Sequence, residues 1–294
     1  MAVDVLLPFY GPVELMQLAV RSVLSQQYTD WILTVVDDGY PEPGIAEWFA
    51  GLGDARISYH RNDQNLGANG NYRKALTFVT ADYVVVMGAD DVMLPNYLAT
   101  VTGALDAHPG AAFTQPGVSV IDEHGTPSVG LVDRAKTLYA PRGTGRRVLG
   151  GEALATSLLR GNWLYFPSIC WRADAITRTG FREGLDVVQD LALALDIVRT
   201  GGDLVIDDTT AFQYRRHRSS DSSLRALAGS RFTEERLFFQ EMARELAAIG
   251  WGRAARAARL HASSRLNAAS LLPRALRHGQ WPGVRTLARH AFGP

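Results

Sequence analysis

The chain has 294 residues, 47% hydrophobic and 20% charged, which is enough apolar content to bury a core and excludes a disordered chain. Thirty Lys and Arg balance thirty Asp and Glu, so the net charge is zero and no nucleic-acid partner is expected. Cys170 is the only cysteine, which excludes an internal disulfide and a cysteine-held zinc and suits a reducing compartment.

The chain opens directly into an apolar run with no basic leader, and no later run approaches about 18 uncharged residues. The expectation is a cytoplasmic protein, at most peripheral at the inner face of a membrane. In chain order, strands are expected at 3–7, 31–36, 56–61 and 83–87, alternating with helices at 13–27, 45–52, 70–80 and 94–107. That alternation predicts βαβ units and a parallel sheet. Residues 126–150, rich in Gly, Pro and Arg and without a period, read as a mobile loop near the site. A helix at 152–160, a short apolar run at 165–170, a helix at 185–199 stopped by Gly201 and Gly202, and strands at 204–206 and 212–216 complete this part. Residues 224–294 read as helical, with breaks near Gly250, Pro273 and Pro282. Residues 225–294 hold twelve Arg and four Glu, leaving an opposite charge on the rest. Such a tail suits an anionic membrane or an acidic partner, and solvated helix faces explain it equally well.

Polar residues cluster directly after the strands, where open α/β sheets bind ligands: Phe9 and Tyr10, Asp37 and Asp38, Asp90 and Asp91. A carboxylate after the 31–36 strand can accept hydrogen bonds from a nucleobase N–H; a tight Asp-Gly turn is the alternative. The adjacent carboxylates Asp90 and Asp91 repel, which a divalent cation with oxygen ligands would offset; the alternative is an Asp N-cap for the following helix. Tyr10 can stack on a base or pack on the next helix.

Val5-Leu6-Leu7-Pro8-Phe9-Tyr10, Val35-Val36-Asp37-Asp38-Gly39, Asn65-Leu66-Gly67 and Gly88-Ala89-Asp90-Asp91 resemble, in order and spacing, family 2 glycosyltransferases over about the first 125 residues. The resemblance implies a GT-A (Rossmann-like) α/β fold, a mostly parallel sheet flanked by helices. It also implies a nucleotide-sugar donor, Mn²⁺ or Mg²⁺, and direct displacement that inverts the anomeric centre. On that reading residues 1–223 form the catalytic domain, with a donor-binding half at 1–125 and an acceptor-binding half at 126–223, and 224–294 form a helical extension. Pro8, Phe9, Tyr10, Asp37 and Asp38 are then the expected nucleotide contacts.

The family's Asp-x-Asp maps onto Gly88-Ala89-Asp90, so its first Asp is missing and Asp90 is the expected metal ligand, with Asp91 assisting or capping. Where the family often has Arg-Asn, this chain has Tyr72-Arg73; Asn71, Arg73 and Lys74 are donor-contact candidates, with a solvated helix face as the alternative. Leu185-Asp186-Val187-Val188-Gln189-Asp190 resembles the segment carrying the family's Glu-Asp pair, with Gln189 replacing Glu and Asp190 at the base position. The alternative places Asp190 against a helix dipole, a need that Asp186 meets better. His217 resembles the family's post-strand His at the diphosphate or metal, with Arg216 and Arg218 as phosphate-binding rivals.

UDP and dTDP sugars are the preferred donors on this resemblance, and the acceptor is a saccharide, a lipid-linked glycan or a small natural product. The tail, residues 224–294, would supply peripheral membrane contact or a homodimer interface. Two rival readings remain. One is a nucleotidyltransferase making sugar nucleotides, although no Gly-rich, Arg-containing loop follows the first strand. The other is a non-catalytic sugar-nucleotide binder, prompted by Gly88 and Gln189.

Overall fold

The computed structural model describes residues 1–217, 230–277 and 279–293. The first half runs β1 (Val3–Phe9), α1 (Val13–Leu24), β2 (Trp31–Asp37), α2 (Ile45–Leu52), β3 (Ile57–Arg61), α3 (Gly67–Leu76), β4 (Tyr83–Val86), β5 (Val92–Met93) and α4 (Tyr97–Ala107). The second runs β6 (Ala111–Ile121), α5 (Leu131–Tyr139), β7 (Arg147–Leu149), α6 (Gly151–Arg160), β8 (Cys170–Arg172), α7 (Ala173–Thr179), α8 (Gln189–Arg199) and β9 (Asp203–Arg215). Four further helices follow: α9 (Ser230–Ala248), α10 (Gly252–Leu260), α11 (Ala262–Arg277) and α12 (Trp281–Phe292).

All seven residues of β1 are buried, as a strand covered on both faces requires. Its side chains alternate: Val3, Val5, Leu7 and Phe9 enter one apolar layer with α1 and α4, and Leu6 enters the other with α6 and α8. The strand order is β3-β2-β1-β4-β8-β6-β9-β5, with β7 on β9. β1 pairs in parallel with both β2 and β4, so the chain runs outward to β3 and returns through α3 to the opposite side of β1. Strand order reverses there, and a crevice opens beyond the carboxyl ends of these strands. Buried Asp4 pins the return crossing, accepting the N–H groups of Thr80 at 2.6 Å and Ala81 at 2.7 Å. The sheet turns antiparallel where β8 joins β4 and β6, and where β5 and β7 join β9.

Three expectations are corrected, and the 165–170 run takes a definite structure. The 126–150 stretch is not a bare loop, because it holds α5 and β7. The 204–206 and 212–216 strands are one continuous β9 whose pairing with β6 absorbs register shifts. The 165–170 run is a 3₁₀ turn at Phe166–Ser168 followed by β8. The 185–199 helix starts only at Gln189, which puts Asp190 in its first turn.

The tail is packed onto the rest. Phe238, Phe239, Met242 and Leu246 of α9 and Ala254, Ala255 and Ala258 of α10 enter the α6/α8 core layer. Arg182 clamps the seam, with a bidentate pair to Asp196 at 2.7 Å and a bond to Glu245 of α9 at 2.9 Å. α11 and α12 close a smaller core of Phe232, Ala268, Ala275, Leu287 and Ala291.

Candidate active site

The end of β2 turns at Gly39, whose φ of 78° is left-handed and suits glycine. The two carboxylates before it are buried: Asp37 is 0% exposed and Asp38 2%. Asp37 accepts Tyr59 Oη–H at 2.5 Å, Arg61 Nη1 at 2.9 Å and the Tyr40 N–H at 2.8 Å. Burial and the bond to Asp37 push the Tyr59 phenol up to about 12. The Asp37 carboxylate is thereby spent on joining β2 to β3.

Asp38 Oδ1 accepts the Leu66 N–H at 2.8 Å and Asn62 Nδ2 at 2.9 Å, and Asn65 Nδ2 donates to the Asp38 carbonyl at 3.1 Å. The Asn65-Leu66-Gly67 motif is therefore the clip that holds Asp38. Asn71 is an internal strut, donating to the Val36 carbonyl at 2.9 Å and accepting Asn62 at 3.0 Å.

One further placement differs from the sequence reading. Pro8 and Phe9 are buried in the sheet, so their side chains are core rather than ligand surface. Tyr10 is 58% exposed and stands edge-on to Tyr40, with ring centroids 5.2 Å apart. Arg73 is turned to Glu183 at 2.5 Å, and Lys74 lies 5.5 Å over the Phe78 ring, both on the surface of α3.

Beyond β4, Gly88-Ala89-Asp90-Asp91 bends into β5, which pairs with β9. The acidic pair is thus not the N-cap of α4, which begins at Tyr97. Asp91 Oδ1 accepts the Arg215 N–H at 2.8 Å. Its Oδ2 is buried with no partner among the described residues. Burial first, and the neighbouring Asp90 charge second, push the Asp91 carboxyl well above the usual range. Asp90 is more open; its Oδ2 lies 2.7 Å from His217 Nε2, and its carbonyl accepts Arg215 Nε at 2.7 Å. The bond to Asp90 raises the His217 imidazole. A β-carbon on Gly88 would sit 2.4 Å from Asp91 Oδ2 and 3.1 Å from Asp90 Oδ1, so the missing side chain is the space these two oxygens share.

Asp190 enters from α8. Its Oδ1 accepts the Leu191 N–H at 2.8 Å and its Oδ2 accepts Asn162 Nδ2 at 3.3 Å. Burial raises its carboxyl, opposed by the Leu191 N–H, the Lys136 charge and Asn162. Asp186 precedes the helix, so Asp190 itself takes the dipole position that was expected to suit Asp186 better. Gln189 is a strut whose Oε1 accepts Asn69 Nδ2 at 2.9 Å.

Tyr72 of α3 and Tyr214 of β9 feel the charge of both acidic groups. Burial raises both phenols, and the charges of Asp90, Asp190 and Asp91 all raise them further. The three carboxylates therefore lie within electrostatic reach of the same two rings. Arg216 is held by Asp133 of α5 at 2.7 Å. Arg218 lies outside the described residues.

Tyr72, Tyr214, Asn162, Asp133 and Lys136 escaped the sequence reading as site residues. The one signal for Lys136 was its rarity, since Lys74 is the only other lysine. Lys136 Nζ donates to the Leu164 carbonyl and lies 4.1 Å over the Tyr165 ring. Burial, with Arg216 next, lowers its ammonium to about 8. If Asp190 must be ionised, activity falls as pH drops through its pKa. Lys136→Met removes a charge that favours the ionised form, so the acid limb of the rate profile should move to higher pH, with Lys136→Arg restoring part of the shift. An acid limb unmoved in Lys136→Met would break this link.

A profile of the family described as "Glycosyl transferase family 2" matches residues 4–151. Among curated proteins, WcaA of Escherichia coli K12, assigned to colanic acid biosynthesis as a glycosyl transferase, is 30% identical over 98 residues. That match covers 33% of this chain and 35% of WcaA. The Escherichia coli protein WfgD, named UDP-Glc:alpha-D-GlcNAc-diphosphoundecaprenol beta-1,3-glucosyltransferase, is 27% identical over 96 residues, 33% of this chain and 38% of WfgD. The chain thus aligns with little more than a third of either relative. Among solved structures, residues 1–349 of S. aureus TarS superpose with a TM-score of 0.68 at 13% identity, covering 99% of this chain and 81% of that one. The TarS complex with UDP-GlcNAc gives a TM-score of 0.65 at 14% identity, covering 82% and 66%. At these identities the likeness shows the fold, a GT-A sheet with flanking helices.

Proposed function

Since the chain belongs to glycosyl transferase family 2, whose profile spans half of it, we propose that it moves a sugar from a nucleotide diphosphate donor to an acceptor hydroxyl with inversion. The observation that carries this reading is the acidic bend after β4, where Asp90 Oδ1 and Asp91 Oδ2 share the space left at Gly88, while the charges of Asp90, Asp91 and Asp190 all act on the Tyr72 and Tyr214 phenols.

A divalent cation fits the Asp90 side of the cleft. Asp91 Oδ2 is a buried carboxylate oxygen with no partner among the described residues, and it shares the space at Gly88 with Asp90 Oδ1. No group of three or more His, Cys, Asp and Glu suited to a metal is found among the described residues. One or two carboxylates can hold Mg²⁺ or Mn²⁺ when donor phosphates complete the shell. Asp90 and Asp91 would hold it, with His217 against Asp90 Oδ2. Bound there, the cation supplies positive charge to the departing diphosphate.

The chain's own groups do the rest. Asp190 accepts the proton of the attacking hydroxyl, Asn162 orients its Oδ2, and burial keeps its proton affinity above that of a surface carboxylate. Tyr10 offers an exposed ring to the nucleobase, and Asp38 a carboxylate at the same rim. UDP is the preferred nucleotide, dTDP the second choice: TarS has been solved with UDP-GlcNAc, and the WfgD name specifies UDP-Glc. A lipid-linked glycan heads the acceptors on the strength of the diphosphoundecaprenol in that name, ahead of free saccharides and small natural products. No helix among the described residues is long and apolar enough to cross a membrane.

A thermal-shift panel of UDP, dTDP and GDP sugars with Mn²⁺, Mg²⁺ or EDTA tests the donor reading, because a ligand of the native state raises the melting temperature by mass action. A uridine or thymidine donor with Mn²⁺ is expected to give the largest rise. Equal, metal-independent shifts from all three nucleotides would overturn the assignment.

A further inference from the structure

The last two helices carry a surface that sugar transfer does not use. Residues 246–294 hold eight arginines and neither Asp nor Glu. Arg253 pairs with Glu152 at 3.0 Å, but no carboxylate among the described residues pairs with Arg274, Arg277, Arg285 or Arg289.

On α12 these charges are ordered. Gly283, Leu287, His290 and Ala291 face the small core around Phe232. Trp281, Arg285, Arg289 and Phe292 are exposed on the other side. Their spacing of four, four and three residues keeps them on one stripe, about 16 Å long at the α-helical rise. An aromatic side chain stands at each end, Trp281 65% and Phe292 74% exposed, with two arginines between them. α11 adds exposed Leu276 between Arg274 and Arg277, and exposed Leu266 nearer its start.

We propose that α11 and α12 dock this chain in the plane of an anionic lipid bilayer, with Trp281 and Phe292 entering the headgroup boundary and Arg274, Arg277, Arg285 and Arg289 on the lipid phosphates. Charge complementarity selects this occupant. A twofold contact with a second copy through this stripe would set arginines against arginines with no acidic residue within the segment to offset them. Trp and the arginines match what interfacial helices use, an aromatic ring at headgroup depth and a basic face toward anionic lipid. The proposal stands apart from the sugar-transfer reading, since it needs neither donor nor cation at Asp90.

The test is sedimentation of the full chain with vesicles of phosphatidylcholine alone, or with about one quarter phosphatidylglycerol as a physiological anionic fraction. Binding is expected to the anionic vesicles only, and to weaken with salt. Arg285→Glu with Arg289→Glu should lower the partition at least about tenfold, at roughly one order-unity electrostatic contribution per surface arginine. Trp281→Ala with Phe292→Ala should also lower it, with the circular dichroism of both variants unchanged because all four side chains are exposed. Equal sedimentation of the reversed-charge variant, no binding to anionic vesicles, or a dimer dissociated by the aromatic double variant would each overturn the proposal.

Discussion

Asp190→Asn is expected to lower sugar transfer by about two to four orders of magnitude while leaving donor affinity within about twofold. The amide keeps the shape of the carboxylate and can still accept the Leu191 N–H, which Asp190 Oδ1 takes at 2.8 Å. It loses the ability to accept the acceptor's proton. Burial raises the Asp190 carboxyl, so the group is more basic than a surface aspartate, while the Leu191 N–H, Lys136 and Asn162 favour its charged form. Initial rates paired with donor titration calorimetry separate the two roles. Unchanged turnover would move the base elsewhere; a matched loss of binding and turnover would make Asp190 a structural residue of the α8 start.

The second large effect is expected at Asp90. Asp90→Ala should cut transfer by about three orders of magnitude, because a bound cation and its carboxylate ligand supply several kcal/mol of charge stabilisation at the leaving diphosphate. The same variant should abolish the Mn²⁺-dependent part of the donor's thermal shift, and EDTA should reproduce that loss in the unaltered chain. His217→Ala should cost less, since the imidazole meets this site through its 2.7 Å contact with Asp90. Activity that is indifferent to both EDTA and Asp90→Ala would remove the cation from the account.

Much of the fold was legible because each rim motif follows an apolar run. Val3–Phe9 and Trp31–Asp37 became strands and their polar successors fell at the sheet edge, as the short apolar runs and βα alternation require. What stayed hidden depended on partners distant in sequence. Nothing local indicates that Asp37 is consumed by Tyr59 and Arg61 across a strand pair, or that Asp190 sits beside Asn162.

Helix α5 was missed for a different reason. Its nine residues lie within a stretch whose Gly, Pro and Arg content reads as loop, and in the fold Val132 and Leu138 are exposed while Asp133 is buried against Arg216 and Tyr165. The start of α8 was placed too early because residues 185–188 carry helix-like apolar spacing, whereas Asn69 holds the Leu185 carbonyl at 2.7 Å outside the helix. Gly88 looked like a simple loss of an acidic residue. In the folded chain it leaves room for the Asp91 carboxylate, a contact visible only once the bend after β4 is in place.

The most direct test is a crystal structure of Asp190→Asn soaked with a UDP-sugar and Mn²⁺, read by anomalous scattering. The account predicts one manganese peak bonded to an Asp90 oxygen, the uracil at the Tyr10 rim, and the sugar's anomeric carbon facing residue 190. A nucleotide bound away from the β1–β2–β4 rim, or a manganese peak remote from Asp90, would contradict it.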